Sequence, residues 1–96
     1  MRDSLIGRFA VSKAGHDKEQ VYLIIGEDEK NLHLTDGRLH PLDKPKKKNK
    51  KHVCIMDKTV GEPMLGRLCR KEKIFDHEVK YAIKIAVGKE EGYVKE

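Results

Sequence analysis

The chain has 96 residues, of which 39% are charged and 38% are apolar, and it carries a net charge of +5. This length predicts one domain, or a small domain with an appendage, and a modest core. No apolar run approaches the roughly 20 residues of a membrane helix. The first residues lack the apolar stretch of a signal peptide, so we expect a cytoplasmic protein without a membrane partner.

The first half of the chain reads as short strands separated by turns. Alternation predicts a half-buried strand over residues 6–12, and a loop follows. The apolar, β-branched run 21–26 is typical of a central strand covered on both faces. Residues 31–35 alternate again, with Leu32 and Leu34 directed inward. We also expect Tyr22 to be packed in the core, although it is the candidate for stacking on a base.

Asp36-Gly37 is a strong signal for a tight hairpin, because a type I′ turn needs positive φ at both central positions. It predicts a return strand over 38–42 with Leu39 on the core side, then a lysine-rich loop and a last strand over 52–56. Hairpin connections between five such strands favour a small closed barrel, because closure removes exposed edges.

After Asp57 the apolar spacing changes to that of helices. Glu62-Pro63 predicts a helix start and an apolar face follows, which gives a helix over 62–71. Asp76 is a suitable N-cap and Gly88 a suitable end for a second helix over 77–87. We therefore predict a mostly β fold with an α appendage, divided into a barrel at 1–57 and a helical part at 58–96.

The sequence contains no motif for catalysis or for metal binding. It has no Gly-rich phosphate loop and no zinc-ligand spacing among its two cysteines and five histidines. We expect Cys54 and Cys69 to be reduced and buried. We therefore predict a protein that is not an enzyme, with no cofactor, no metal and no small-molecule substrate, and we favour a monomer.

The charge is concentrated in one segment. Residues 38–52 contain seven Lys or Arg residues and one Asp, so they carry +6, and the rest of the chain sums to −1. Such a run can serve as a solvated loop, a nuclear import signal, a membrane-surface patch or a contact for nucleic acid. Its position between two strands favours nucleic acid. Because lysine suits phosphate better than base edges, we expect binding with little sequence specificity.

The loop after the first strand and the basic segment together resemble a known family. Residues 7–25, GRFAVSKAGHDKEQVYLII, resemble the KOW motif, a strand, an AGxDK loop and an apolar strand. The continuation TDGRLHPLDKPKKKNKKHV resembles small bacterial KOW-domain RNA-binding proteins. Both segments are similar to a large-subunit ribosomal protein family of archaea and eukaryotes, and the likeness covers about the first 56 residues.

The resemblance implies an SH3-like five-stranded barrel, here followed by two short helices, and binding to RNA, often ribosomal RNA, in translation. The glycines Gly7 and Gly15 match the motif's backbone, as Asp36 and Gly37 match its continuation. His16 stands where the motif often has Arg, and Glu19 stands where it usually has Gly. The resulting candidate RNA-binding residues are Lys13, His16, Lys18, Arg38, His40, Lys44, Lys46, Lys47, Lys48, Lys50, Lys51 and His52.

We therefore expect a non-catalytic protein that holds the phosphate backbone of structured RNA, either ribosomal or ribosome-associated. If about 4–6 lysines meet phosphates, log K falls with log salt at a slope near −4 to −5. The alternative is a protein-interaction module whose C-terminal helices dock on a translation or transcription partner. Charge alone does not separate RNA from DNA.

Overall fold

A computed structural model describes residues 4–13, 15 and 19–94, with side chains as far as residue 87. Its elements are five strands and two helices, with a 3₁₀ turn at Lys50–His52. They are β1 (Arg8–Ser12), β2 (Val21–Glu27), β3 (Asn31–Thr35), β4 (Lys46–Asn49), β5 (Val53–Thr59), α1 (Met64–Cys69) and α2 (Asp76–Val94). No helix in the described part of the chain is long and apolar enough to cross a membrane.

The strands form one antiparallel sheet in the order β4-β3-β2-β1-β5. This order leaves β4 and β5 at the two edges, so the sheet is not closed and the closed barrel is not confirmed. The sheet is nevertheless curled, as the distance of 2.8 Å between Lys48 Nζ on β4 and Ser12 Oγ on β1 shows. In a flat sheet these strands are three spacings apart, about 14 Å, which is beyond the reach of the two side chains.

The inner face of the curled sheet holds the first hydrophobic core. Tyr22 and Ile24 of β2 pack there with Leu32 and Leu34 of β3, all 1% exposed or less. Ala10 and Val53 complete this core from β1 and β5. The prediction that Tyr22 is a packed core residue is therefore confirmed.

The outer face of the sheet holds a second core, which the helices cover. Phe9 of β1 and Leu23 of β2 pack there with Val60 and with Val79 and Ala86 of α2, and Leu65 and Leu68 of α1 lie against them. Residues from 21 to 25 therefore contribute to both cores, which confirms that β2 is covered on both faces. The strands and helices share this core, and the predicted division at residue 57 falls inside β5.

The predicted return strand at 38–42 is wrong. Gly37 has the positive φ, +74°, that the turn signal indicated, but Asp36 Oδ1 accepts hydrogen bonds from the backbone N–H groups of Arg38 and His40. The Thr35 hydroxyl also donates to His40 O. These bonds satisfy backbone groups that a hairpin would pair, so the chain makes a wide loop, and Leu39 is 80% exposed instead of lying in the core.

The lysine-rich loop is also a wrong prediction, because Lys46–Asn49 is strand β4. It pairs with β3 in the register Leu34↔Lys46, His33↔Lys47 and Leu32↔Lys48. Lysine is a poor former of central strands but is well tolerated at an edge, where its charge discourages pairing with other chains. β4 takes the place beside β3 that was predicted for residues 38–42.

The two helices exist, but their ends differ from the prediction. α1 is shorter than the predicted 62–71, and α2 continues through Gly88 to Val94. A single glycine costs a helix only about 1 kcal/mol, so it need not end one. Asp76 is the first residue of α2 and not its cap. Its Oδ1 accepts from the backbone N–H of Leu42, 2.8 Å away, and thereby ties the wide loop to α2.

Both cysteines are free, and both are exposed, so the prediction that they are buried is wrong. Cys54 lies on β5, an edge strand with one neighbour, β1. Cys69 is the last residue of α1, where the chain leaves the outer core. At both places the apolar spacing of the sequence extends to a residue that no neighbouring element buries.

Candidate nucleic-acid interface

The lysines of β4 face alternate sides of the sheet. Lys46 and Lys48 share the inner face with Leu34 and Leu32, and Lys47 is directed to the outside, opposite His33. The ammonium of Lys48 donates to the hydroxyl of Ser12, a residue that is 1% exposed. Lys48 thus helps to hold the curled sheet together, whereas Lys47 is exposed to solvent.

The 3₁₀ turn Lys50–His52 brings basic residues from three segments together. The N–H of Lys50 donates to Lys30 O in the β2–β3 turn, and the N–H of Lys13 donates to His52 O, at 2.9 and 2.8 Å. Asn49 Oδ1 caps the turn by accepting from the N–H of Lys51. The exposed side chains at this junction, together with that of Lys47 on β4, form what we call the basic surface, which consists of Lys13, Lys30, Lys47, Lys51 and His52.

Lys50 lies within the basic segment but its charge is paired. Its Nζ is 3.5 Å from Glu27 Oε2, and the two side chains are 28% and 11% exposed. Glu27 also accepts, through Oε1, from the backbone N–H of Leu5. The pair therefore ties the 3₁₀ turn to the end of β2, and Lys50 offers less charge to a ligand than Lys51 does.

Asp28 places a carboxylate at the rim of the basic surface. It accepts from the backbone N–H groups of Asn31 and Lys30, at 2.8 and 3.0 Å, and these bonds lower its pKa below the ordinary value. The positive charge of Lys47 lowers that pKa further. Asp28 therefore stays ionised and shapes the β2–β3 turn from which Lys30 projects.

The other part of the basic segment lies next to α2. Arg38 and Lys44 are exposed, and the ring of His40 lies against Tyr22, with centroids 5.9 Å apart. A Cβ built on Gly37 would lie 2.5 Å from Asp76 O and 2.9 Å from Lys80 Cγ, so the loop sits tightly on the first turn of α2. Arg38 is thereby held beside α2, separate from the residues grouped by the 3₁₀ turn.

The loop after β1 is described in part. His16 and Lys18 lie outside the described residues, and Lys13 and Gly15 are exposed. Gly15 and Gly7 have φ of +89° and +95°. Glu19 also has a positive φ, +73°, in the region that favours glycine, so the side chain at this position strains the backbone.

Sequence reasoning missed one residue of the basic surface and two exposed aromatic rings elsewhere. Lys30 lies outside the basic segment in the sequence, and only the hydrogen bond from the N–H of Lys50 to Lys30 O shows that the two residues meet. Phe75 and Tyr81 are 48% and 65% exposed, so the described part of the chain does present aromatic rings to solvent. The helical spacing supplied a signal for Tyr81, because it lies off the apolar stripe of Val79, Ala82, Ile83 and Ala86.

No protein-family model matches the chain, and no curated protein matches it. Within the described residues, no group of three or more His, Cys, Asp or Glu side chains is placed to hold a metal ion. The geometry of the basic surface is therefore the main guide to function.

Proposed function

We propose that the protein is a non-catalytic, cytoplasmic RNA-binding protein that holds the phosphate backbone of structured RNA. The observation that carries this proposal is that the 3₁₀ turn joins the backbones of Lys13 and Lys30 to the segment that holds Lys47, Lys51 and His52. A cluster of cations on a near-neutral body attracts polyanions and raises their association rate. The resemblance to KOW proteins favours ribosomal RNA or another ribosome-associated RNA.

The fold supports this use of the lysines because it fixes their backbones. Lys47 lies on a paired strand and Lys51 lies in a capped turn, so little backbone entropy is lost when phosphates bind. Lysine offers a point charge without the planar fork that reads base edges, so recognition rests on backbone shape.

We further propose that the curled sheet is an SH3-like barrel. The strand order puts β4 and β5 at the edges, and the 3₁₀ turn spans from β4 to the start of β5. The Lys48–Ser12 hydrogen bond crosses the inside of the sheet. These two features take the place of a closing row of backbone hydrogen bonds.

The test is RNA binding by a variant in which Lys13, Lys47 and Lys51 are changed to Gln. For the wild-type protein, about four phosphate contacts give a slope of log K against log salt near −3 to −4. We expect the variant to lose at least tenfold in affinity at low salt and to flatten the slope by about 2 to 3. Binding would be measured by fluorescence anisotropy on an RNA hairpin at several salt concentrations.

The control is Lys71→Gln, which removes one exposed charge, against three in the test variant, from the chain between α1 and α2. It should change the affinity by less than about twofold. A triple variant that binds with wild-type affinity and an unchanged salt slope would contradict the proposal.

The rival function, docking of a protein partner by the helices, has less support. α1 and α2 place most of their apolar side chains in the outer core. Removing residues 58–96 would therefore uncover Phe9 and Leu23 and unfold the sheet, so loss of partner capture by that deletion would prove nothing.

The variant Ile85→Glu is a better test, because Ile85 is 47% exposed. The rival expects it to abolish partner capture while hairpin binding stays unchanged.

A further inference from the structure

One face of α2 is exposed and combines cations with an aromatic ring. Val79 and Ala86 are buried against the sheet, while His77, Lys80, Tyr81, Lys84 and Ile85 are exposed. At 100° per residue these five lie side by side around the helix, with Lys80 and Lys84 on one flank and Tyr81 and Ile85 on the other. We call them the α2 face.

The α2 face carries the positive charges of Lys80 and Lys84, and one neighbouring carboxylate, Glu78, is offset by an ion pair with Arg67. Glu78 accepts from Arg67 and from the N–H of Phe75, each at 3.0 Å. Asp76 accepts from the N–H of Leu42. The stem of Lys80 meanwhile packs where Gly37 approaches the helix, which places Arg38 next to this face. The α2 face therefore lies beside Arg38, the first residue of the basic segment, and its lysines suit a polyanion.

Tyr81 is the most exposed aromatic ring among the described side chains, at 65%. It lines a groove of about 730 Å³ between α2 and the chain that leads into α1, together with Val60, Pro63 and Met64. A pair of rings lies nearby, since Phe75 and His77 are stacked with an interplanar angle of 13°. Lys73 Nζ lies 5.4 Å from the centroid of the Phe75 ring. Rings beside lysines are the usual arrangement by which proteins hold unpaired bases.

We propose that the α2 face binds an unpaired nucleotide that flanks the RNA helix held by the basic surface. Tyr81 stacks on the base, and Lys80 and Lys84 contact the adjoining phosphates. This inference rests on the proposed function, but it concerns a different part of the molecule and a different, single-stranded part of the ligand. An acidic protein segment is the competing occupant, and the test separates the two.

The test compares three RNA probes: a blunt hairpin, the same hairpin with a short adenosine tail, and the tail alone. The tail contains 2-aminopurine, whose fluorescence falls when it stacks on an aromatic ring. We expect the tailed hairpin to bind about tenfold more tightly than the blunt one, which is within the range for one stacked base.

Tyr81→Leu keeps an apolar side chain but removes the ring, so it should abolish the advantage of the tail and the fluorescence change. Tyr81→Phe should keep both, and Lys80→Gln with Lys84→Gln should reduce the advantage about threefold or more. Blunt-hairpin binding should be unchanged in Tyr81→Leu, which also shows that the variant is folded.

Equal affinity for blunt and tailed hairpins, or a tail advantage that survives Tyr81→Leu, would overturn the inference while leaving the proposed function standing. An acidic peptide as the true occupant gives this same result. If the wild-type protein binds neither hairpin, the proposed function fails. The inference is then tested by the fluorescence of the unattached tail. Fluorescence quenching that depends on Tyr81 then supports it, and no quenching overturns it.

Discussion

Lys47 and Lys48 are neighbours of the same type on one strand, yet they have different surroundings. Lys47 is exposed on the outer side of β4, and Lys48 extends into the inner face, where it donates to the buried hydroxyl of Ser12. The difference arises because side chains alternate along a strand. A run of lysines on an edge strand therefore serves two purposes, since alternate members stabilise the fold and present charge to a ligand.

The same division continues past the end of β4. Lys50 is paired with Glu27, and Lys51 is exposed on the capped 3₁₀ turn. Formal charge thus overstates what the basic segment offers to any polyanion, because its inward members are already engaged within the protein. Substitutions of Lys48 and Lys47, and acetylation of the folded protein, test this division between inward and outward lysines.

The largest effect on stability is expected for Lys48→Ala. It removes the donor to Ser12 and the aliphatic stem that lies beside Leu32, so we expect a loss of about 1–3 kcal/mol in the free energy of unfolding. Lys47→Ala should change it by less than about 0.5 kcal/mol. Urea unfolding measures both, and equal losses in the two variants would contradict the division.

A smaller loss is expected when the wide loop is released from α2. Asp76→Ala removes the acceptor for the N–H of Leu42, and we expect it to cost about 1 kcal/mol and to speed hydrogen exchange at Leu42. Asp76→Asn is the matched control, because it keeps an acceptor oxygen and should retain most of the protection. Unchanged exchange in Asp76→Ala would show that the loop is held by other contacts, and that Arg38 does not depend on this bond for its place.

The smallest effect is expected at the Arg67–Glu78 ion pair, which lies between the helices and away from the inward lysines. The guanidinium of Arg67, and then the N–H of Phe75, lower the pKa of Glu78 below its ordinary value. A lowered pKa stabilises the folded state above the ordinary value, and this contribution is lost as the pH falls through the folded-state pKa.

Glu78→Gln should therefore lower the melting temperature slightly at neutral pH, and the difference from wild type should vanish once the pH has fallen below the lowered pKa of Glu78. Thermal unfolding followed by circular dichroism across this pH range measures the effect. A difference that persists unchanged at low pH would mean that the ion pair is not its cause. Binding of a blunt RNA hairpin at neutral pH should not change.

Much of the sheet could be predicted from local patterns. The alternation in β1 and β3 and the continuous apolar run of β2 indicated three strands, which the structure contains. The last strand, predicted over 52–56, is present as β5 (Val53–Thr59). The part from Asp36 to Asn49 could not be predicted, because Asp36-Gly37 is a hairpin signal, whereas in the structure Asp36 accepts hydrogen bonds from Arg38 and His40. β4 was missed for another reason, because its four residues, KKKN, show no alternation of apolar and polar side chains.

The candidate site was predictable in composition but not in arrangement. The charge of residues 38–52 is visible in the sequence, and so are Lys13, His16 and Lys18 in the loop after β1. Which lysines face outward depends on the register of β4 against β3. The inclusion of Lys30 depends on a hydrogen bond between residues 20 positions apart, Lys50 N to Lys30 O, which no local pattern specifies.

The most direct test of the division is lysine acetylation of the folded protein, read by mass spectrometry with and without an RNA hairpin. The account predicts that Lys13, Lys30, Lys47 and Lys51 react readily alone and are protected by RNA. Lys48 and Lys50 should react slowly in both conditions, and Lys71 should react equally in both. The account is contradicted if Lys48 reacts as fast as Lys47 without RNA, or if RNA protects none of the four outward lysines.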